Sequence, residues 1–308
     1  MPKAGRLAAS TVTAGLVAGL IVAAGPATAA AASSGAQAAG ATSTTPAGVR
    51  APFAELADET TGADLWSRSS VSEHPMGSIA KVMTAYVVIE AGDLNRVITV
   101  PSGIIGYDHA YGAFTAGLVP GEKLTALQLL YAMLLPSGCD AAYTLATAYG
   151  KDGSRSAFIA EMNATARKLG LSKTHFSDFS GLPDPGEYTT YSTVRDLLSL
   201  GRDALRLPTF RSIVATRTYR VAAAKDHYGH VWNNLNPLLG HYAGATGIKT
   251  GFTAAAGDCL LFSAERAGQE LIGVVLDSSS SPAGLGAAAS DAATMLDWGF
   301  GRQPAAGG

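Results

Sequence analysis

The sequence predicts an α+β protein in which one antiparallel sheet, flanked by helices, takes strands from both ends of the domain. Short apolar runs bounded by turn residues occur near residues 50–70 and again after residue 245, which is typical of strands. Between them, apolar residues recur at helical spacing in segments that stop at Gly or Pro. Strands at both ends favour a shared sheet, with the mainly helical region inserted beside it.

The first strands and the first helix follow directly from local pattern. Residues 53–57 and 63–66 are apolar runs on either side of a Thr-Thr-Gly turn, which predicts two paired strands. From Ser78 to Glu90 the apolar residues follow helical spacing, and Gly92 comes just after the last of them. We therefore expect a strand–turn–strand unit followed by one helix.

The remaining elements divide into a helical middle and a strand-rich end. Four helices are predicted, each stopped by Pro or Gly: residues 125–135, 140–149, 154–169 and 192–207. Three strands follow at residues 248–253, 258–264 and 271–276, and residues 266–269 form a hairpin-like turn between the last two. An Ala-rich helix ending at Phe300 completes the domain.

The first 29 residues have the pattern of a secretory signal. Lys3 and Arg6 precede an uncharged, mostly apolar run over residues 7–24, and small residues ending at Ala29 offer a cleavage site. An uncleaved membrane anchor is the alternative, but the Ala, Gly, Ser and Thr content makes the run weakly hydrophobic. We expect export, cleavage near Ala29 and no strong membrane anchor afterwards.

The rest of the chain divides into a linker, a domain and a tail. Residues 30–49 contain no charged and no aromatic side chain, so we expect a flexible spacer that packs in no core. Residues 50–302 form the predicted domain, with a sheet region at about 50–94 and 240–302 and a helical region at about 95–239. Residues 303–308 form a short tail.

Composition excludes several classes of protein. With 22 basic and 24 acidic side chains the chain lacks the excess of Lys and Arg that nucleic-acid binding needs. It is 47% hydrophobic, unlike disordered chains. His227 and His230 form the only close histidine pair but have no Cys nearby, so we predict no metal and no cofactor. Cys139 and Cys259 are too few for a disulfide scaffold, and both a disulfide between them and two free thiols remain open.

The feature that most strongly indicates catalysis is Ser78-Ile79-Ala80-Lys81. Spacing of i, i+3 puts a hydroxyl and an ammonium on one helix face. Serine needs an adjacent base to act as a nucleophile, and burial with a nearby positive charge can keep a lysine neutral enough to serve. The alternative is a helix-capping serine followed by an ordinary surface lysine.

Two further motifs accompany it. In Lys249-Thr250-Gly251 the residue before the lysine is Ile248, so the phosphate-binding loop pattern fails. A Lys–Thr pair on a strand can bind a carboxylate, and Gly251 would leave room for a substrate backbone; a simple turn at a strand end is the alternative. Ser137-Gly138-Cys139 follows Pro136 and, taken alone, would be a helix-capping loop.

In this order the three motifs resemble the Ser-x-x-Lys, Ser-x-Asn and Lys-Thr-Gly set of the serine D-alanyl-D-alanine carboxypeptidases and transpeptidases, the low-molecular-mass penicillin-binding proteins. The similarity spans residues 51–300 and includes residues 81–85, 179–182 and 297–300. It implies the fold shared by penicillin-binding proteins and serine β-lactamases. The Ser-Gly-Cys version is most similar to small exported actinobacterial D,D-transpeptidases.

The resemblance implies a role for each motif residue. Ser78 would attack the carbonyl of the penultimate D-Ala, Lys81 would take its proton, and Ser137 would relay a proton to the leaving amine. The backbone N–H groups of Ser78 and Phe252 would form the oxyanion hole. Lys249, Thr250, Gly251 and Cys139 would bind the substrate, a peptidoglycan stem peptide ending in D-Ala-D-Ala, and β-lactams would acylate the same serine.

Two departures from the family pattern have consequences. Cys139 replaces the usual Asn, and a thiol offers weaker donors and acceptors than an amide, so we expect weaker holding of the substrate and slower turnover of the acyl-enzyme. The similarity to transpeptidases with a Ser-Gly-Cys motif implies transpeptidation alongside or above hydrolysis. Residues 271–296 contain no Arg or Lys, which predicts weak binding of the substrate carboxylate.

Two other functions remain as alternatives. One is a serine β-lactamase, although residues 171–175, where such an enzyme would carry the Glu that activates its deacylating water, contain no Glu, and the next one is Glu187. The other is a catalytically impaired peptidoglycan-binding relative. We expect a monomer.

Overall fold

The computed structural model describes residues 44–281 and 286–302. Its main sheet has five antiparallel strands in the order β2-β1-β11-β10-β9. The strands are β1 Phe53–Asp58, β2 Asp64–Arg68, β9 Ala245–Thr253, β10 Gly257–Arg266 and β11 Gln269–Leu276. The predicted sheet shared by the two ends of the domain is therefore confirmed. The predicted signal, the linker up to residue 43 and the tail lie outside the described residues.

The two central strands of the sheet separate the molecule into two cores. In β10, Leu260 and Phe262 face one core, while Leu261 faces the other. In β11 the same alternation sends Val275 to the first core and Val274 to the second. Both faces of the sheet are buried because successive strand residues point to opposite sides and both sides carry apolar residues.

One face of the sheet is covered by the C-terminal helix α8 (Ala287–Phe300). Its buried residues include Ala292 and Met295. Val49 is only 7% exposed and belongs to this same core, and Asp291 of α8 accepts the backbone N–H groups of Arg50 and Ala51. The prediction that the linker to residue 49 packs in no core is wrong at its end, because one aliphatic side chain suffices to fill a groove that the sheet and α8 supply.

The other face is covered by helices. They are α1 Lys81–Ala91, α2 Gly103–Tyr111, α3 Ala126–Leu134, α4 Cys139–Tyr149, α5 Arg155–Lys168, α6 Val194–Leu205 and α7 Pro208–Ala215. Helix α1 contacts α3, α4, α5 and α6, so the helical layer includes residues that precede position 95. Among the described residues, no helix is long and apolar enough to span a membrane.

Several short elements were not predicted. Pro208, expected only to stop the preceding helix, is the first residue of α7, since proline fits the first helical position. Three two-stranded pairs join β3 (His74–Pro75) to β6 (Tyr191–Ser192), β4 (Val97–Thr99) to β5 (Lys123–Thr125), and β7 (Thr218–Val221) to β8 (His230–Asn233). Strands this short carry too little periodicity to be read from sequence.

A carboxyl group is buried where the sheet meets α6. Glu55 on β1 is 4% exposed, and its Oε1 lies 3.3 Å from Nη2 of the half-exposed Arg195. Its Oε2 has no hydrogen-bond partner within the described residues. Burial raises the pKa of Glu55 to about 7, although Arg195 opposes part of that effect. The folded state therefore holds this proton at a pH where the unfolded chain has released it.

We expect Glu55→Gln to remove a pH-dependent loss of stability. Because the folded-state pKa is raised, the parent loses stability as pH rises from about 4.5 to about 7. Relative to the parent, the variant should gain about 3 kcal/mol between pH 4 and pH 8, measured by urea denaturation at both pH values. The exposed control Glu161→Gln should show no such gain, and equal pH dependence of Glu55→Gln and the parent would contradict the prediction.

Candidate active site

The predicted nucleophile lies in a tight turn ahead of the central helix. Ser78 is in a 3-10 helix, Gly77–Ala80, that leads directly into α1. The N-cap of this turn is Met76, whose side chain makes no capping hydrogen bond. The alternative that Ser78 is an ordinary helix cap is therefore wrong, and its hydroxyl is available for other contacts.

Lys81 is buried against that hydroxyl. Its side chain is fully buried at 0% exposure, so the alternative of an ordinary surface lysine is also wrong. Lys81 Nζ lies 2.8 Å from Ser78 Oγ and donates to the backbone oxygen of Ser180 at 2.9 Å. A third contact, of 3.3 Å, joins it to Cys139 Sγ. Fixed, close acceptors in a dry environment hold the Lys81 amino group at the serine oxygen.

The middle motif, Ser137-Gly138-Cys139, lies at the start of α4. Ser137 is 4% exposed and has a φ of +64°, a left-handed conformation that is uncommon outside glycine. The N-cap of α4 is Gly138, not Ser137. The capping-loop alternative is therefore wrong for the serine, whose strained backbone is of the kind that clusters at functional sites.

Cys139 is buried and does not line the cavity that contains Ser78 and Ser137. It is 1% exposed, and its thiol contacts Lys81 Nζ and not the cavity described below. Burial raises the pKa of the thiol, although Lys81 opposes the shift. The expected direct contact of Cys139 with substrate is thus replaced by contact with the catalytic lysine. Cys259 is buried elsewhere, 3.1 Å from the Ala256 oxygen, and both thiols are free.

The third motif lies in the middle of β9 and is not a turn at a strand end. Lys249 is 1% exposed, and its Nζ donates to the backbone oxygen of Thr250 at 3.0 Å. Burial, together with the neighbouring Lys81 ammonium, lowers the pKa of Lys249 well below its usual value. Thr250 faces the cavity while Lys249 lies beneath it. Lys249 is therefore connected to the cavity through Thr250.

Gly251 lets two backbones approach closely. A Cβ on this residue would lie 2.5 Å from the Met76 oxygen and 3.3 Å from the backbone N of Ile79. The missing side chain therefore lets β9 pack against the turn that carries Ser78. Gly251 also lines the cavity, and the predicted room for a substrate backbone stays a prediction. A Cβ on Gly77 would likewise lie 2.8 Å from the backbone N of Phe252. The turn that carries Ser78 therefore adjoins the Phe252 amide, as an oxyanion hole requires.

A cavity of about 240 Å³ brings these residues together. It is lined by Ser78, Phe114, Ser137, Leu235, Pro237, Thr250, Gly251, Phe252, Asp258 and Gly286. Grooves of about 570 and 470 Å³ lie elsewhere and contain none of the predicted catalytic residues. The chemistry selects the smaller cavity, because Ser78, Ser137 and Phe252 all line it, whereas neither larger groove is lined by any of them.

Several wall residues were missed by sequence reasoning. Phe114 and Leu235 are apolar yet 58% and 43% exposed at the cavity. Asp140, buried in α4, accepts the N–H groups of Ala116 and Leu118 and so anchors the segment that carries Phe114. The sequence signal for this contact was an acidic residue, Asp140, directly after Cys139. Its partners could not be inferred from the sequence because they lie more than 20 positions away.

The lining residues that the structure describes include no Arg or Lys, and the acidic residue among them is Asp258. Its Oδ2 accepts the N–H groups of Gly286 and Ala288, so it also caps α8. Burial raises the pKa of Asp258, and these backbone N–H groups oppose the shift. The predicted weakness of carboxylate binding stays a prediction. It assumes that few basic side chains lie near the substrate, and the described lining residues include none.

The histidine pair is not assembled for metal binding. His230 Nε2 lies 3.0 Å from Oε1 of Glu122, which also accepts the N–H of Tyr228. Within residues 44–281 and 286–302 there is no cluster of three or more His, Cys, Asp or Glu side chains that could hold an ion.

Fold and site together define a class of protein: a serine enzyme whose nucleophile is paired with a buried lysine at the junction of a helical layer and an antiparallel sheet. The comparisons agree with this class. A family model described as D-alanyl-D-alanine carboxypeptidase matches residues 40–280. The chain is 39% identical over 251 residues to a D-alanyl-D-alanine carboxypeptidase of Streptomyces sp. strain K15, covering 78% of this chain and 84% of the relative. It therefore belongs to the D-alanyl-D-alanine carboxypeptidase family of serine peptidases.

Further relatives give the same result. D-alanyl-D-alanine carboxypeptidase DacB2 of Mycobacterium tuberculosis is 35% identical over 251 residues, with 82% of each chain covered. The crystal structure of the Streptomyces K15 DD-transpeptidase superposes with a TM-score of 0.76 at 38% identity, covering 82% of this chain and 98% of that one. The predicted fold class and family are confirmed.

We expect Gly251→Ala to separate β9 from the nucleophile turn. The new Cβ meets the Met76 backbone, which cannot move without shifting Ser78, so the rate of acylation by a fluorescent penicillin should fall about 10- to 100-fold. Stability should fall by about 1–3 kcal/mol. The control Gly106→Ala, whose Cβ meets nothing within 4 Å, should leave acylation unchanged. Equal acylation by Gly251→Ala and the parent would show that this packing does not position the serine.

Proposed function

We propose that this protein is a serine D-alanyl-D-alanine carboxypeptidase/transpeptidase that acts on peptidoglycan stem peptides ending in D-Ala-D-Ala through an acyl-enzyme on Ser78. The observation that carries the proposal is the 2.8 Å contact between Lys81 Nζ and Ser78 Oγ, which joins a fully buried lysine to a serine in the wall of a cavity that Ser137 also lines. An activated serine, a second hydroxyl and two converging amides are the groups that acyl transfer needs.

In the proposed reaction, Ser78 is first acylated by the substrate, and the ester is then released to water or to an amine. Ser78 Oγ forms a bond to the carbonyl carbon of the penultimate D-Ala while its proton passes to Lys81 Nζ. The amides of Ser78 and Phe252 stabilise the oxyanion. The C–N bond to the terminal D-Ala then breaks, and the proton returns through Ser137 to the leaving amine. Water releases a free carboxylate from the ester, whereas an acceptor amine forms a new peptide bond.

The charges of the two buried lysines interact. Burial and the neighbouring Lys81 lower the pKa of Lys249. A substrate carboxylate near Thr250 would favour the charged form of Lys249, because opposite charges attract. Substrate binding would therefore strengthen the positive charge at this side of the site.

The cavity wall supports transfer to an amine alongside hydrolysis. Phe114, Leu235, Pro237 and Phe252 place apolar surface around Ser78, and such surface holds water poorly near the ester. Cys139 adds to this effect, because a buried thiol offers only weak hydrogen bonds beside Lys81. Both features favour an organic acceptor over water.

The two alternative functions are less well supported. A serine β-lactamase needs a carboxylate to activate deacylating water, but Glu187 is exposed and does not line the cavity, and Asp258 is engaged in capping α8. A catalytically impaired binding protein would have no reason to keep a lysine fully buried against a serine hydroxyl, since burial of an amino group is costly.

The proposal includes export. Residues 1–29 have the signal pattern described above, and the named substrate belongs to the cell wall. These residues lie outside the described structure, so the sequence pattern alone supports this part.

The central test is acylation and product analysis. The parent incubated with penicillin should gain one penicilloyl adduct, located on Ser78 by peptide mass spectrometry. With a diacyl-D-Ala-D-Ala peptide it should release D-Ala, and an acceptor amine should divert part of the product to a new peptide. Ser78→Ala should lose at least about 10³-fold in both reactions, whereas the exposed control Ser212→Ala should match the parent. Peptide processing by Ser78→Ala at the parent rate would overturn the mechanism, and rapid release of the adduct would favour a β-lactamase.

We expect Cys139→Asn to speed release of the penicilloyl adduct about tenfold, the equivalent of one added hydrogen bond beside Lys81. The amide supplies a strong donor and acceptor where the thiol is weak. The decay of the adduct is followed by mass spectrometry. Cys139→Ala, which removes the thiol and adds no amide, should release the adduct no faster than the parent. Equal rates in the Asn and Ala variants would show that hydrogen bonding at this position does not control deacylation.

A further inference from the structure

The buried loop of residues 178–182 makes three close contacts with the turn that carries Ser78 and with helix α1, which follows it. The Ser180 oxygen accepts from Lys81 Nζ at 2.9 Å, and the Phe179 oxygen accepts from Thr84 Oγ1 at 2.6 Å. Gly181 packs so closely that a Cβ there would overlap the carbonyl oxygen of Gly77, directly before the nucleophile. The position of this 178–182 loop therefore affects both Ser78 and Lys81.

One side chain organises the loop from within. Asp178 is 1% exposed, and its Oδ1 accepts four hydrogen bonds. Ser180 supplies two of them, from its N and its Oγ, each at 2.7 Å, and the N–H groups of Gly181 and Leu182 supply the others at 2.7 and 3.1 Å. A carboxylate that gathers three successive amides fixes the backbone between them.

A second side chain reaches the same carboxylate from α2. The Tyr107 hydroxyl donates to Asp178 Oδ2 at 2.6 Å and lies 2.7 Å from Ser180 Oγ. Burial and the nearby Asp178 raise the pKa of Tyr107 above its usual range, so the hydroxyl keeps its proton and remains a donor. Its ring packs on Phe179, with centroids 5.2 Å apart. Neither side chain lines the cavity that contains Ser78.

We propose that Asp178 and Tyr107 are positioning residues that hold Lys81 against Ser78 through the backbone oxygen of Ser180. The inference rests on the proposed function, because it concerns how that function's base is oriented. Lys81 Nζ has three contacts, to Ser78, Cys139 and Ser180. Of these, only the Ser180 oxygen is a strong acceptor that is neither the nucleophile nor a thiol, and Asp178 with Tyr107 determines where that oxygen lies.

Other charges around Lys81 are contributed by separate elements. Lys249 acts from β9, Asp140 and Cys139 from α4, and Asp108 from α2. A change confined to Asp178 and Tyr107 leaves all of these side chains in place, so its effect on Lys81 can be separated from theirs.

The experiment compares Asp178→Ala and Tyr107→Phe in the full chain with the matched control Asp291→Ala. Asp291 is also 1% exposed and also accepts backbone N–H groups, but it does so on α8, where it ties down residues 50 and 51. Asp178→Asn serves as the conservative variant, since its amide oxygen can still accept from the loop amides. Kinetics with penicillin separate the acylation rate constant from the dissociation constant of the noncovalent complex.

A positioning role predicts a specific pattern. The acylation rate constant should fall about tenfold in Asp178→Ala and less in Tyr107→Phe, with the dissociation constant within about twofold of the parent. Asp178→Asn should recover most of the rate, and Asp291→Ala should lose stability without losing rate. If Asp178→Ala and Asp291→Ala lose stability alike and both acylate at the parent rate, the proposal is overturned.

A second measurement does not depend on acylation. In protein labelled with ¹³Cε-lysine, the Lys81 resonance is identified by its absence in Lys81→Arg. At fixed pH its chemical shift should move in Asp178→Ala and stay unchanged in Asp291→Ala; an unmoved resonance in Asp178→Ala would also overturn the proposal. A parent that penicillin does not acylate would contradict the proposed function, while this resonance would still test the positioning of Lys81.

Discussion

The buried amino group of Lys81 is the constraint on which the rest of this structure depends. An amino group removed from water needs polar partners, because a buried charge without them is strongly destabilising. The partners come from three places: the turn with Ser78, the start of α4 with Cys139, and the 178–182 loop. Three segments far apart in sequence must therefore converge on one atom, and the helical layer is the scaffold that brings them there.

The sheet supplies the second half of the site. Strand β9 packs its Gly251 backbone against the nucleophile turn, and the absence of a side chain there brings the Phe252 amide close to Ser78. This placement is held by packing on both faces of the sheet, with α8 on one side and the helical layer on the other. Ser78, Ser137 and Thr250 thus lie where the two layers meet, and the contact between the layers determines their geometry.

One substitution in the motifs and the composition of the cavity wall distinguish this site. The thiol of Cys139 lies beside the base and has a raised pKa, so it leaves Lys81 weakly held on that side and increases its dependence on the Ser180 oxygen. Among the described residues, the cavity wall has no basic side chain and carries apolar surface from Phe114 and Leu235. Both changes reduce the polar contacts available to water and to a carboxylate, which is consistent with an enzyme that favours transfer.

The sequence by itself determined whatever depends on local spacing. The i, i+3 separation of Ser78 and Lys81 placed them together, short apolar runs bounded by turn residues located the strands, and three ordered motifs indicated the family. Only the tertiary structure decided that Cys139 faces Lys81 and not the cavity, that Gly251 serves helix–strand packing, that Val49 joins the core, and that Tyr107 meets Asp178 from 71 residues away. Periodicity specifies which face of an element is apolar, whereas the partner that a polar side chain meets depends on how distant elements pack.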